Sequence, residues 1–285
     1  MEFTRRALLG SVGGAAVATT TGATIYGELY AAPEAETTAL VAGSLLDVAT
    51  RVPGATVEAH GSAAVRRLIR SGQRHPDAVA LADPSLFAGI SPTATLFATN
   101  SLVLAYNPDS ASTDIRNGEW QSAIQQSGID IGRTDPELDP LGYRTVMALE
   151  LAAERTAVTP ARVLADTTIV PETELLNVLE AGELDAAFVY RNMAVQRDLS
   201  YVGLPTWLNF SDPRMADQYA RASYDLGEMT VRGAPIRYGA TALNAAGQSW
   251  VDRLVTERSR LETRGFGVPT AYPERDTSVE NLGVE

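Results

Sequence analysis

Apolar positions along the chain alternate between two rhythms. Short unbroken apolar runs closed by glycine or a proline turn predict strands, and apolar residues three and four apart predict helices. TTALVAG (residues 37–43) is of the first kind and ends on Gly43-Ser44. LLDVATRV (45–52) predicts a short helix halted by Pro53-Gly54. ATVEAHG (55–61) predicts a strand, SAAVRRLIRSG (62–72) a helix closed by Gly72, and DAVALAD (77–83) a third strand. ATLFATNSLVLAYNP (94–108) is a long β-like run ending at Asn107-Pro108. GIDIGRTD (128–135) leads into a helix over LGYRTVMALELAAERT (141–156), where Val146, Leu149 and Ala153 have helical spacing. ETELLNVLEAGELDAAFVY (172–190) predicts helix then strand, SYVGLPTWLNF (200–210) an extended connection, and IRYGATAL (236–243) a late strand. AAGQSWVDRLVTERSRLETRGFG (245–267) predicts an amphipathic helix with a glycine stop.

This alternation predicts an α/β protein with mainly parallel sheets. The runs near 97–107 and 201–210 are candidates for strands that cross between two domains. No internal repeat shows, and only the two chain ends look disordered. Ligands of such folds gather where strands end and helices begin, which directs attention to three junctions.

At VAGSL and AHGSAAV, a strand meets Gly43-Ser44 and Gly61-Ser62 at the start of a helix. Backbone N–H groups and a hydroxyl placed there bind anions without a cation. The plainer alternative makes both serines N-caps. The third junction is TDPELDPLGYR (134–144), with Asp139 as N-cap, Pro140 at the first helical position, and Leu141 and Gly142 offering free N–H groups. A carboxylate here repels a bound oxyanion unless it caps the helix and faces away, or ligates the anion's central metal atom.

Composition narrows the chemistry. The 285 residues include no cysteine and only two histidines, His60 and His75, which leaves no basis for disulfides, thiolate catalysis or a multi-histidine metal site. No lysine occurs, so all 23 basic residues are arginine and Schiff-base and P-loop chemistry are excluded. A net charge of −12 opposes nucleic-acid binding. Acidic, lysine-free composition fits a halophile; a GC-rich genome explains the missing lysines equally well. Near the N-terminus, Arg5 and Arg6 precede a weakly apolar, Gly- and Thr-rich stretch to Tyr26, the pattern of a twin-arginine export signal. YAAPEAETTA (30–39) then reads as a cleavage region or tether.

GSL, the second GS before a helix, FATNSLVLAYNPDS, DPELDPLGYR, GELDAAFVYRNMA, LPTWLNF and IRYGATAL occur in a telling order. From about residue 38 to about 270 the chain resembles the archaeal tungstate/molybdate-binding proteins, extracellular solute receptors of ABC importers. DPxxDPxGYR is the most specific of these elements. The resemblance implies a two-lobed, type II periplasmic-binding-protein fold with two hinge strands and a ligand cleft between the lobes. It divides the chain into signal and linker (1–37), one lobe (38–104 with 206–275), a second lobe (105–205) and an acidic tail (276–285). It implies a monomer at the extracellular face, with molybdate or tungstate as ligand, permease and ATPase subunits as partners, no cofactor and no catalysis. Carried over position by position, Gly43, Ser44 and Ser62 supply donors from one lobe, and Asp139, Pro140 and Leu141 contacts from the other. Asp139 matches an aspartate that ligates the metal centre of the anion. The family's second carboxylate, before Tyr-Arg, corresponds here to Val189, which implies a lost ligand and near-tetrahedral binding.

Two alternatives come from the residues themselves. The cleft could take another anion, such as sulfate, phosphate or a small carboxylate; Arg144 could then bind it, or tie down the helix or the lobe interface. His60, Ser62 and Asp139 could be read as a hydrolase constellation, but no G-x-S-x-G elbow accompanies either serine. Glu150/Glu154 and Glu172/Glu174 read as solvated helix faces.

Overall fold

The structure, a computed structural model, describes residues 37–282. The export signal and most of the linker expected over 1–37 lie outside these residues. The described chain opens with β1 (Thr37–Ala42), β2 (Ala55–His60), β3 (Ala78–Leu81) and β4 (Thr93–Thr99), all in one sheet. It then enters a second sheet through β5 (Leu102–Tyr106), followed by β6 (Ile131–Arg133), β7 (Thr168–Ile169), β8 (Ala186–Tyr190) and β9 (Ser200–Gly203). A hairpin of β10 (Ser223–Asp225) and β11 (Thr230–Arg232) precedes β12 (Arg237–Ala242) and β13 (Glu274–Ser278), which return to the first sheet. The strand orders are β13-β4-β12-β3-β1-β2 and β7-β6-β8-β5-β9, each sheet forming the floor of one lobe.

The apolar runs mark the centres of these sheets. All four residues of β3 are buried, as are the last four of β1 and all five of β8. Helices cover them: Ala245–Thr256 packs on the first sheet, burying Trp250, Val251, Leu254 and Val255, and Pro140–Ala153 packs on β5, β6 and β8. Removing such aliphatic side chains from water contributes roughly 1.5–3 kcal/mol each. A strand covered on both faces therefore reads as continuously apolar.

Four expectations need correction. The sheets are mixed, not mainly parallel: β1–β2, β1–β3, β6–β7 and β6–β8 are parallel, but β12 runs against β3 and β4, and β5 against β8 and β9. The reversed β5 and β12 are strands by which the chain enters a sheet after running in the other, so their direction is set by the crossing and not by a helix-covered crossover within the sheet. The 201–210 segment is extended only to Gly203; Pro205 then starts a turn, with Leu208 and Asn209 N–H groups bonded back to its carbonyl. The predicted C-terminal helix breaks at Glu257 into Ala245–Thr256 and Arg258–Thr263. Residues 276–278 are not a free tail, because β13 covers the outer edge of β4 and Val279 is buried with its N–H on the Pro92 carbonyl.

The 97–107 run does cross between lobes, and it bends where it crosses. Asn100 and Ser101 separate β4 from β5. The Asn100 amide donates to Asn192 Oδ1 (2.6 Å) and to the Tyr238 hydroxyl (3.1 Å), while its Oδ1 accepts from Ser101 N (2.9 Å). The returning segment lies alongside, with Leu102 N donating to the Asn209 carbonyl at 2.9 Å.

Candidate functional site

Neither serine is an N-cap. Ser44 is the middle residue of the Gly43–Leu45 turn after β1, is 2% exposed, and its hydroxyl accepts from the Tyr238 hydroxyl at 3.2 Å. Its carbonyl accepts from Asn192 Nδ2 at 2.8 Å, so both lobes grip this residue. Ser62 is the first residue of the Ser62–Arg70 helix, with Gly61 as the cap, and is fully buried. Its Oγ accepts from Ala82 N at 3.0 Å. A hydroxyl that accepts such a bond keeps its own proton to donate.

Asp139 caps the Pro140–Ala153 helix as predicted. Its Oδ1 accepts from Leu141 N at 3.1 Å, an extended backbone (φ −146°) turning the carboxylate back over the first turn. Its Oδ2 is buried and has no hydrogen-bond partner. Leaving a charged oxygen so is costly, and burial pushes the Asp139 carboxyl up to about 7, against the lowering effect of the Leu141 amide. The Thr134 hydroxyl lies beside it, also buried and short of full hydrogen-bond geometry, and it too lowers the Asp139 carboxyl. Both residues line a cavity of about 240 Å³ together with His60, Gly61, Pro171 and Glu172.

Pro140 and Leu141 shape this junction without offering donors. Proline has no N–H, and the Leu141 N–H is taken by Asp139. Gly142 serves close approach, but of backbone: a β-carbon there would lie 2.6 Å from Asp135 C and Pro136 N.

Glu172 is the residue the sequence reading missed. It follows β7 and is 7% exposed, whereas Glu150, Glu154 and Glu174 are exposed as expected. Its carboxylate takes two backbone donors across the cleft, Gly43 N to Oε2 at 2.8 Å and Ser44 N to Oε1 at 3.0 Å. Burial raises the Glu172 carboxyl well above the usual range, and the neighbouring Asp139 charge raises it further. A second carboxylate thus stands near Asp139, supplied by residue 172. Val189, expected at the place of that acid, is fully buried in β8 opposite Val103 and lines neither cavity that Glu172 borders.

Arg144 ties the lobe interface. From the Pro140–Ala153 helix its Nη2 reaches Asp83 Oδ2 at 2.9 Å, and Nη1 donates to the Ala82 carbonyl (2.9 Å) and the Tyr190 hydroxyl (2.8 Å). The Tyr143 hydroxyl donates to the same Asp83 oxygen at 2.7 Å. Asp83 follows β3, so this buried cluster joins the two sheets. Nearby, Ala64 N donates to the Leu138 carbonyl at 3.0 Å, and a β-carbon at Gly61 would lie 2.9 Å from Asp139 Cβ. The hydrolase constellation does not assemble: His60 Nε2 pairs with Glu58 Oε1 at 2.6 Å, while Ser62 turns to Ala82.

Two sheets joined by short crossings, with strand-end donors facing across a cleft, form the frame of a solute receptor. The family model described as bacterial extracellular solute-binding protein matches residues 50–259. The chain belongs to this family. A Haloferax volcanii relative, provisionally named as an ABC transporter molybdenum-binding protein, is 47% identical over 287 residues, covering 94% of this chain and 93% of its own. The molybdate/tungstate-binding protein of Pyrococcus abyssi is 33% identical over 225 residues, covering 66% of this chain and 65% of that relative. Among solved structures, the periplasmic molybdate-binding protein of Azotobacter vinelandii superposes with a TM-score of 0.58 at 12% identity, covering 82% of this chain and all of that one. This likeness bears on the fold, which is the two-lobed receptor fold expected from the sequence. Among the described residues, no helix of this extracellular solute-binding protein is long and apolar enough to cross a membrane.

Proposed function

We propose that this chain is the solute receptor of an ABC importer and captures a tetrahedral oxyanion of molybdenum or tungsten between its lobes. The observation that carries the reading is Asp139 Oδ2, buried in the cavity wall with only the neighbouring Thr134 hydroxyl to face it. A carboxylate so placed repels sulfate or phosphate, whose central atoms accept no further oxygen. Molybdenum and tungsten do accept one, so the same oxygen becomes a ligand. The Gly43 and Ser44 amides already hold a carboxylate, which supports their capacity to hold an oxyanion. Ser62 adds a hydroxyl proton at the neighbouring strand end. The names of the Haloferax and Pyrococcus relatives support the same ligand class.

In this reading Asp139 supplies the metal ligand, while Pro140 and Leu141 hold it in place through the helix start. The asparagine crossing at residue 100 and the 204–210 turn are the hinges, and the receptor works as a monomer. Because all of β5 belongs to the second sheet, the division falls at the Asn100-Ser101 crossing and not at 104: lobe one takes in residues 38–100 and the returning chain from 206 through β13, and lobe two 101–205. Export through the Arg5-Arg6 signal delivers it to the extracellular face, where permease and ATPase subunits receive its cargo. Calorimetric titration with tungstate, molybdate, sulfate and phosphate tests the assignment. The first two should bind at least about a hundredfold tighter than the others, a difference of about 2.8 kcal/mol. Preference for sulfate or phosphate would overturn it.

A further inference from the structure

We propose that Glu172 is a resident stopper of the oxyanion site: its carboxylate occupies the Gly43 and Ser44 amides, and a dissolved anion enters by displacing it. This inference rests on the receptor reading above. Its basis is geometric. The two carboxylate oxygens take one amide each, at 2.8 and 3.0 Å, so both donors are engaged. Gly43 makes this possible, because a β-carbon there would lie 2.5 Å from Glu172 Oε2 and 2.8 Å from its carboxyl carbon. Only a glycine lets the carboxylate settle on the strand end this closely.

Glu172 belongs to the second lobe and the amides to the first, so the contact also bridges the lobes in place of a ligand. An arriving dianion meets two acidic side chains lining one cavity, Asp139 and Glu172. Asp139 is fixed by its cap bond to Leu141, but Glu172 has somewhere to go. It also borders a cavity of about 350 Å³ lined by Gly43, Gln196 and Arg197. Gln196 Nε2 is buried there without a hydrogen-bond partner, a donor ready for a carboxylate that leaves Gly43. Arg197 lines the same cavity, held by Glu180 at 2.9 Å. The side chain therefore trades two backbone donors for a side-chain amide beside a guanidinium, and the vacated amides pass to the oxyanion.

The stopper opposes every tetrahedral anion, with or without a metal centre. Glu172→Gln keeps the shape and removes the charge; Glu172→Ala removes the side chain and serves if the first variant fails to fold. Titration of both variants and the wild type with tungstate and with sulfate gives the answer. With no glutamate carboxyl to displace from the Gly43 and Ser44 amides, both variants should bind both anions about tenfold or more tighter. A smaller gain would assign Glu172 a structural role only, and weaker tungstate binding would make it a ligand of the anion; either result overturns the proposal. If neither wild type nor variants bind any of these anions, the receptor reading itself fails. Binding by the variants alone would support both.

Discussion

At the scale of single residues, the site is governed by which oxygens and amides are already spoken for. Asp139 is the clearest case, with one oxygen committed to Leu141 and the other facing only the Thr134 hydroxyl. Its raised carboxyl means that the folded protein holds a proton near pH 6 that the unfolded chain, titrating near 4, has released. Stability from this group is therefore full below about pH 4 and is lost as pH rises through about 7. The ligand-free protein should melt at lower temperature at pH 8 than at pH 5, and Asp139→Asn should flatten that slope. Calorimetric melts in which both proteins keep the same slope would contradict this account of Asp139. The serines separate in a similar way. Ser62→Ala should cost about 1–3 kcal/mol of stability, because it leaves the buried Ala82 N–H unpaired, and should weaken oxyanion binding as well. Unchanged denaturant midpoint and affinity would remove Ser62 from both roles. A lone Gly-Ser could not distinguish this arrangement from a simple cap; the difference lies in Ala82, 20 residues away.

At the scale of elements, sequence pattern was informative wherever a strand was apolar enough to be seen. TTALVAG and DAVALAD are legible because their central residues are buried. The helix at Pro140 was legible from its Asp-Pro start. Glu172 escaped for the complementary reason. The strand before it, β7, has only two residues, both exposed, so no apolar run marked a fourth strand-end junction. PETE then resembles any acidic helix face, and only the tertiary placement of β7 beside β6 sends residue 172 inward. Val189 shows the limit of motif transfer: the FVYR segment is present, yet its valine packs in a sheet. The DPxGYR motif holds a further element-scale device in Arg144, which carries the Pro140–Ala153 helix to Asp83. Arg144→Leu should lower stability by about 3–5 kcal/mol, since it strands a buried carboxylate. A loss below about 1 kcal/mol, as expected of a surface pair, would show that the cluster does not lock the lobes.

At the scale of the whole molecule, two sheets meet through a cleft and are joined by neighbouring crossings, one at Asn100-Ser101 and one after Gly203. Few backbone angles need change for such lobes to move as rigid bodies. Because Glu172 bridges the lobes without a ligand, removing that bridge should expose the motion: tungstate should alter the small-angle scattering curve of Glu172→Ala, and superimposable curves with and without it would contradict closure. The length of the crossing run was legible in the sequence; its break at Asn100 was not, because the bend depends on bonds to Asn192 and Tyr238 far along the chain. The acidic, lysine-free surface bears on solubility and leaves the site's choice of ligand to the cleft. That choice is the central claim, and X-ray absorption at the tungsten edge of the tungstate-loaded protein tests it most directly. The account predicts a tungsten bonded to at least one carboxylate oxygen beyond its own four oxygens, and loss of that added ligand in Asp139→Asn. An undistorted tetrahedral tungstate in the unaltered protein, or a protein that takes up none, would contradict it.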